Sequence, residues 1–246
     1  MSDNFFNFER EGLDFPFYKG NPKLTKSGWI FLLISVLLLI FHSFVYCTVI
    51  YNYLYLLPLV EHICFWILPL LIVLGVCRSH LSLLFKKLTK NDILLILVLV
   101  VFSIDAGIIL TVSVDSLLPV PSGNDGSFFT FVCGSFECLF LNNLPLDMLH
   151  EELFKFALFI LVLALTYKLS GDRKISIVCA SVVTLVMFGA SHFTGVGGWR
   201  RIVSDILTRG LGSIFEFYGY LKTKNIWVSY FIHLFYDIIP CFIQLF

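Results

Sequence analysis

Apolar residues run along this chain in blocks of about twenty, broken by short polar punctuation, which is the period expected of helices that cross a bilayer. The first block extends from about Trp29 to Ile50. The second extends from about Leu56 to Cys77 and is bent at Pro69. A third opens at Asp92, read as an N-cap, and reaches about Val114. The remaining blocks cover about Met148 to Leu169, Ile175 to Phe193, Ile202 to Leu221 and Ile226 to Leu245. The sixth is the least apolar and holds Asp205, Arg209 and Glu216. Between the third and fourth blocks, residues 115–148 contain no Lys or Arg. Their apolar piece, Phe128 to Leu141, is short for a span at about 14 residues and is read as interfacial or re-entrant. The pattern predicts an all-α fold: a polytopic transmembrane helical bundle with about seven spans, or eight if 128–141 crosses.

Composition agrees with the pattern. The 246 residues are 58% hydrophobic and 14% charged, with a mean hydropathy of +0.90. A soluble domain carries about 25% charged residues, so this chain is expected in a membrane, with the lipid bilayer as its first partner. Formal net charge is +0, and no basic stripe suggests nucleic acid. The 7 cysteines are scattered, mostly in apolar runs, and read as small buried hydrophobes. Cys133 and Cys138 share one loop. The first 28 residues have no apolar signal-peptide core and read as a tail at the membrane surface. The expected division is a tail over 1–28, N-terminal transmembrane helices over 29–145, and a site-bearing helical core over 146–246.

Lys and Arg concentrate in 1–28, 78–91, 168–174 and 222–225 and are missing from 51–55 and 115–148. With seven spans these segments alternate. The positive-inside rule then places the N-terminus in the cytoplasm of a multi-pass plasma-membrane protein, with Arg200 and Arg201 as the exception.

Three polar clusters interrupt the apolar blocks. An ionisable group on a spanning helix costs roughly 2.5–3.5 kcal/mol on insertion scales, so such groups face partners or polar cavities. The first cluster is Glu151, Glu152 and Lys155. Both acids can pair with the lysine, at i,i+4 and i,i+3. One reading is an ordinary helix start, capped by Asp147 with acids favoured in the first turns. The other is a general base beside a cation-held carboxylate. The second cluster is His192, followed by a glycine-rich loop; an interhelical hydrogen bond would also explain it. The third is His233 and Asp237, one turn apart on one helix face. Such a pair can orient water, steady an oxyanion or bind a metal. Asp205 and Arg209 read as a structural i,i+4 pair. Asp105 and Glu216 have no partner visible in the sequence and are not assigned to catalysis. Gly210 and Gly212 read as places of close helix approach. No His-Glu-x-x-His zinc motif is present.

Taken together and in order, Glu151-Glu152 with Lys155, Phe188 with His192, and His233 with Asp237 resemble the CPBP family, the CAAX-protease and bacteriocin-processing (Abi) intramembrane proteases. The resemblance covers roughly residues 145–240. The family's first motif is Glu-Glu-x-x-x-Arg, and its arginine position falls on Phe156; the base here is Lys155, as in PrsW-type proteases. The resemblance implies an intramembrane endopeptidase acting on a peptide or membrane-anchored substrate, in bacteriocin maturation, self-immunity or peptide signalling. It implies Glu151 as the water-activating base with Glu152 its oriented neighbour. His192 would hold the water or a metal, and His233 and Asp237 would shape the oxyanion site, with Lys155 and Phe188 in support. Both metalloprotease and glutamate-protease chemistry are described in the family. A divalent metal such as zinc would fall to Glu151, His192 and His233. Two rivals stay open: a non-catalytic immunity or partner-binding protein that keeps the fold, and a proton-relaying transporter. The absence of an inverted repeat speaks against the latter.

Overall fold

The computed structural model describes residues 5–10, 12–41, 67–118, 144–193 and 197–244. Among these residues every regular element is helical. In chain order the main helices are α1 (Lys26–Phe41), α2 (Leu68–Cys77), α3 (Lys90–Leu117), α4 (Leu144–Ser170), α5 (Arg173–Ala190), α6 (Gly198–Asp205), α7 (Ile214–Thr223) and α8 (Ile226–Gln244), with short turns at Arg78–His80 and Leu81–Leu84 after α2. Helices α3, α4 and α5 are long and apolar enough to cross a membrane, while Lys26–Phe41, Leu68–Leu84 and Ile226–Ile239 are shorter apolar helices. The Phe128 to Leu141 piece and the Cys133 and Cys138 pair lie outside the described residues.

Two helix starts differ from the sequence reading. Helix α3 is capped by Thr89, whose side chain accepts from the Asp92 N–H, while the Asp92 carboxylate accepts from the Thr89 N–H. This is a capping box, with Asp92 at its third helical position rather than at the cap. Helix α4 begins at Leu144, so Asp147 lies within its first turn, where its charge still suits the helix dipole.

The sixth apolar block is not one helix. It is α6, a π-helical turn at Ile206–Gly210, and then α7. The backbone of the π turn presses on α5. A Cβ on Gly189 would lie 2.6 Å from the Ile206 Cα, and one on Gly210 would lie 2.4 Å from the Leu185 carbonyl oxygen. Glycine at both positions is what allows that approach.

Helix α4 runs through the middle of the bundle. Phe156, Ala157, Phe159, Ile160 and Leu163 are buried there, packed in one core with residues of α1, α2 and α5. A smaller core joins α3 to α8 through Ile96, Leu99, Val100, Val228 and Ile232. The outer face of α3, including Leu94, Leu97, Val101, Ile109 and Val112, is exposed, as a lipid-facing stripe should be.

One end of the bundle is tied by the N-terminal segment. Phe15, Phe17, Tyr18 and Leu24 are buried in the main core. Phe15 stacks edge-on against Phe159 of α4 at 5.0 Å. Glu9 accepts from both terminal nitrogens of Arg173 at 2.8 and 2.6 Å and from Lys224 at 2.5 Å. Arg10 reaches Asp92 at 2.6 Å, and Asp14 bonds Arg173 at 3.1 and 3.0 Å. Starts of α3 and α5 and the α7–α8 turn are thus held by one short stretch. Lys224 closes α7 with φ 51, and its N–H bonds the Tyr220 carbonyl at 2.7 Å. Glycine usually takes that left-handed position; here a side chain is needed to meet Glu9.

Candidate active site

The polar clusters sit away from the tied end. His233 lies seven residues after Ile226, or about 10 Å along α8, and Asp237 is one turn further. Glu151, Glu152 and Lys155 occupy the early turns of α4. His192 follows the last turn of α5. Glu216 lies in the first turn of α7. The turn at residues 211–213, after the π turn, lets α7 restart, and this carboxylate meets Lys155 of α4.

These residues form two layers. The inner layer is built around the Lys155 ammonium, which is 2.5 Å from Glu152 Oε1 and 2.8 Å from Glu216 Oε2. The same Nζ lies 4.5 Å from the centre of the Phe188 ring, a cation–π contact. His233 Nδ1 is 2.9 Å from Glu152 Oε1 and 3.7 Å from Glu216 Oε2. Lys155 is 1% exposed, Glu216 2% and Glu152 4%. A buried charge of this kind persists only when it is paired and hydrogen-bonded.

The outer layer is centred on Glu151, whose side chain is about one-fifth exposed. Its Oε1 is 3.8 Å from His192 Nε2 and its Oε2 is 3.7 Å from His233 Nε2. Asp237 Oδ2 lies 3.7 Å from the same His233 nitrogen. The tautomers follow from what each ring faces. His192 Nδ1 is 2.9 Å from the Phe188 carbonyl oxygen, which can only accept, so Nδ1 donates. His233 Nδ1 faces the Glu152 carboxylate and donates there. In the neutral rings both Nε2 atoms then present lone pairs toward Glu151. Phe188 packs edge-on against His192 at 4.8 Å and lies 6.2 Å from His233, so it spaces the two imidazoles.

Separations of 3.7–3.8 Å are too long for direct hydrogen bonds and suit a shared water. The layer can therefore hold a water against a carboxylate. By donor chemistry it also suits a catalytic zinc, for which two imidazole nitrogens and one carboxylate are a common set. The compact donor cluster among the described residues is a different one. Ligand atoms of Glu152, Glu216 and His233 lie within 4.8 Å of one another. That cluster does not suit a metal, because the Lys155 ammonium stands against two of its three members. His233 is common to both layers, offering Nδ1 inward and Nε2 outward.

Residues 135–239 match a family model described as type II CAAX prenyl endopeptidase Rce1-like. The match covers less than half of the chain, and over that region the chain resembles the CAAX proteases. The Rce1-like region takes in every residue of both layers. No curated protein and no solved structure matches the chain. At the level of the family, the match supports a membrane-embedded endopeptidase with a peptide or protein substrate.

The structure brings Glu151, Glu152, Lys155, Phe188, His192, His233 and Asp237 together. Sequence reasoning did not assign Glu216. The signal for it was an acid in an apolar block with no partner at helical spacing, and its partner lies on another helix, 61 positions away. The Asp205 and Arg209 pair forms at 3.6 Å, with Arg201 also on Asp205 at 3.0 Å.

Proposed function

We propose that this protein is an intramembrane endopeptidase that hydrolyses a peptide bond with a water activated by Glu151. The observation that carries the reading is the Glu151 carboxylate, partly open and set between the Nε2 atoms of His192 and His233. In this reading Glu151 takes a proton from the water, and the hydroxide attacks the scissile carbonyl carbon. Collapse of the tetrahedral intermediate breaks the C–N bond, and Glu151 returns the proton to the leaving amine. His192, fixed through its Nδ1 bond to the Phe188 carbonyl, orients the water. His233 and Asp237 line the side on which the oxyanion forms. Glu152, held by Lys155, fixes the His233 ring from behind. If the enzyme uses a divalent metal such as zinc, Glu151, His192 and His233 would hold it, and it would supply a polarised water.

The substrate class is argued from the long apolar helices that carry the site and from the family description. A membrane-anchored or lipid-modified peptide reaches a site on helices flanked by lipid, and a prenylated CAAX-type peptide is the first probe to try. Bacteriocin maturation, self-immunity and peptide signalling, in a plasma membrane with the N-terminus cytoplasmic, are the settings proposed. The test is peptide processing in the host by wild type, Glu151→Gln and His192→Ala at matched membrane levels. Loss in both variants, with folded protein present, supports hydrolysis. Retention in both overturns it in favour of a non-catalytic partner-binding role.

A further inference from the structure

We infer that the cation of the inner cluster is Lys155 itself, and that Glu216 is a positioning residue that holds it there. The inference deepens the peptidase reading and rests on it only for its kinetic consequence.

Glu152, Glu216 and His233 make a donor set that would ordinarily invite a divalent ion, with ligand atoms within 4.8 Å. The Lys155 ammonium is 2.5 Å from one carboxylate and 2.8 Å from the other, so a metal seated between them would be within contact distance of a fixed positive charge. Two charges about 3 Å apart in a low-dielectric site repel by many times thermal energy. Lys155 cannot swing clear. It is 1% exposed, and the Phe188 ring covers its ammonium at 4.5 Å. Three donors on an ammonium call for three acceptors. Glu152, Glu216 and the π face of Phe188 supply them.

Glu216 is what makes the arrangement directional. Without it, Lys155 would have Glu152 as its one carboxylate partner and could rotate about that contact. With it, the ammonium is fixed between α4 and α7. Glu152 is then fixed by Lys155, and the His233 ring by Glu152 at 2.9 Å. A displacement at Glu216 therefore reaches the Nε2 atom that faces Glu151 by three short contacts. Glu216 acts through these neighbours and also stands 3.7 Å from His233 Nδ1.

The experiment uses the full chain in lipid nanodiscs with ¹⁵N-labelled histidine. In wild type, one equivalent of Zn²⁺ should leave the His233 Nδ1 resonance that of a donor to carboxylate. Metallation of Nδ1 would overturn the assignment of Lys155 as the cation. In Glu216→Gln, an isosteric change, the His233 Nδ1 resonance should lose the signature of its 2.9 Å bond to Glu152, and Glu216→Asp should restore part of it. Unchanged His233 signals in folded Glu216→Gln would overturn the positioning role. On a quenched prenylated peptide, Glu216→Gln should lower kcat about tenfold or more with little change in KM, as for residues that orient a first set of ligands. Should wild type turn over no peptide, the peptidase reading fails while the histidine signals still decide the role of Glu216. Should Glu216→Gln fail to fold, the same His233 comparison is made in Glu216→Asp, where signals identical to wild type would overturn the positioning role.

Discussion

Replacing Glu9 by Gln should free the N-terminal segment from the helix ends while the bundle stays assembled. Glu9 accepts from the Phe6 N–H at 2.9 Å, from Arg173 at 2.8 and 2.6 Å, and from Lys224 at 2.5 Å. Burial alone would push its carboxyl up. The hydrogen bonds from Arg173 and Lys224 outweigh burial and hold it at about 2, against an ordinary 4.5. At about 1.4 kcal/mol per pH unit, that difference is roughly 3 kcal/mol of stability linked to ionised Glu9. The charged groups facing it are Arg173, Lys224 and, through Arg173, Asp14. Burial draws Lys224 down to about 8, so it still carries its proton at pH 7. For a lowered carboxyl, the contribution is complete above the unfolded value. It must therefore be present above pH 4.5 and decline as pH falls toward 2. Hydrogen exchange of residues 5–24 in nanodiscs reads this directly. At pH 7, Glu9→Gln should lower amide protection there by roughly a hundredfold, the equivalent of about 3 kcal/mol. Wild type should lose protection on acidification through the same window, and the variant should lose less, because the Arg10–Asp92 pair of the same segment still titrates. Equal protection in the two proteins at pH 7, or an acid-induced loss as large in Glu9→Gln as in wild type, would refute the assignment of the latch to this carboxylate.

Other changes have equally definite expectations. Gly189→Ala sets a Cβ 2.6 Å from the Ile206 Cα, where backbone must move, and should cost about 1–3 kcal/mol in thermal unfolding; Gly75→Ala, with nothing within 4 Å, should be neutral or stabilising by up to about 1 kcal/mol. Lys155→Met leaves Glu152 and Glu216 buried without their shared cation and should cost about 3–5 kcal/mol. Adding Glu152→Gln and Glu216→Gln should recover part of that loss in the same melting experiment. Gly107→Ala meets the Tyr236 hydroxyl at 2.4 Å and should displace that ring, neighbour to Asp237, lowering peptide turnover more than the melting temperature.

The helical membrane fold was legible because bilayer thickness imposes its length on the sequence. The apolar blocks give helices α1 to α5 and α8 within the described residues. The sixth block misled because its length matches a span while its backbone changes from α6 to a π turn and then to α7. The π turn packs closely on α5 where Gly210 meets Gly189, two residues in separate blocks, which no local pattern displays. The outer layer was legible because Glu151, His192, His233 and Asp237 are polar residues where polarity is expensive. The latch was not, because Glu9, Asp14, Arg173 and Lys224 lie in stretches where charge is ordinary. Only the fold shows that they face one another across 164 and 215 positions of chain.

The position of the base in the first motif and the presence of Glu216 explain each other. Residues 155 and 156 project about 100° apart around α4. Phe156 points at α7 where Tyr220 stands, with ring centres 6.2 Å apart, and both are buried. Tyr220 and Glu216 are i,i+4 neighbours on the same face of α7. A cation at position 156 would be driven against the Tyr220 ring, whereas one at 155 can reach both Glu152 and Glu216. Moving the base by one residue thus keeps its hold on the second carboxylate of the motif, since i+3 and i+4 share a face. It also turns the charge toward a part of α7 that must then supply an acid. Glu216 supplies it. A variant that moves the base to 156 while keeping Glu216 would leave that acid buried and unpaired, and it should be less stable than one that also replaces Glu216 by Gln.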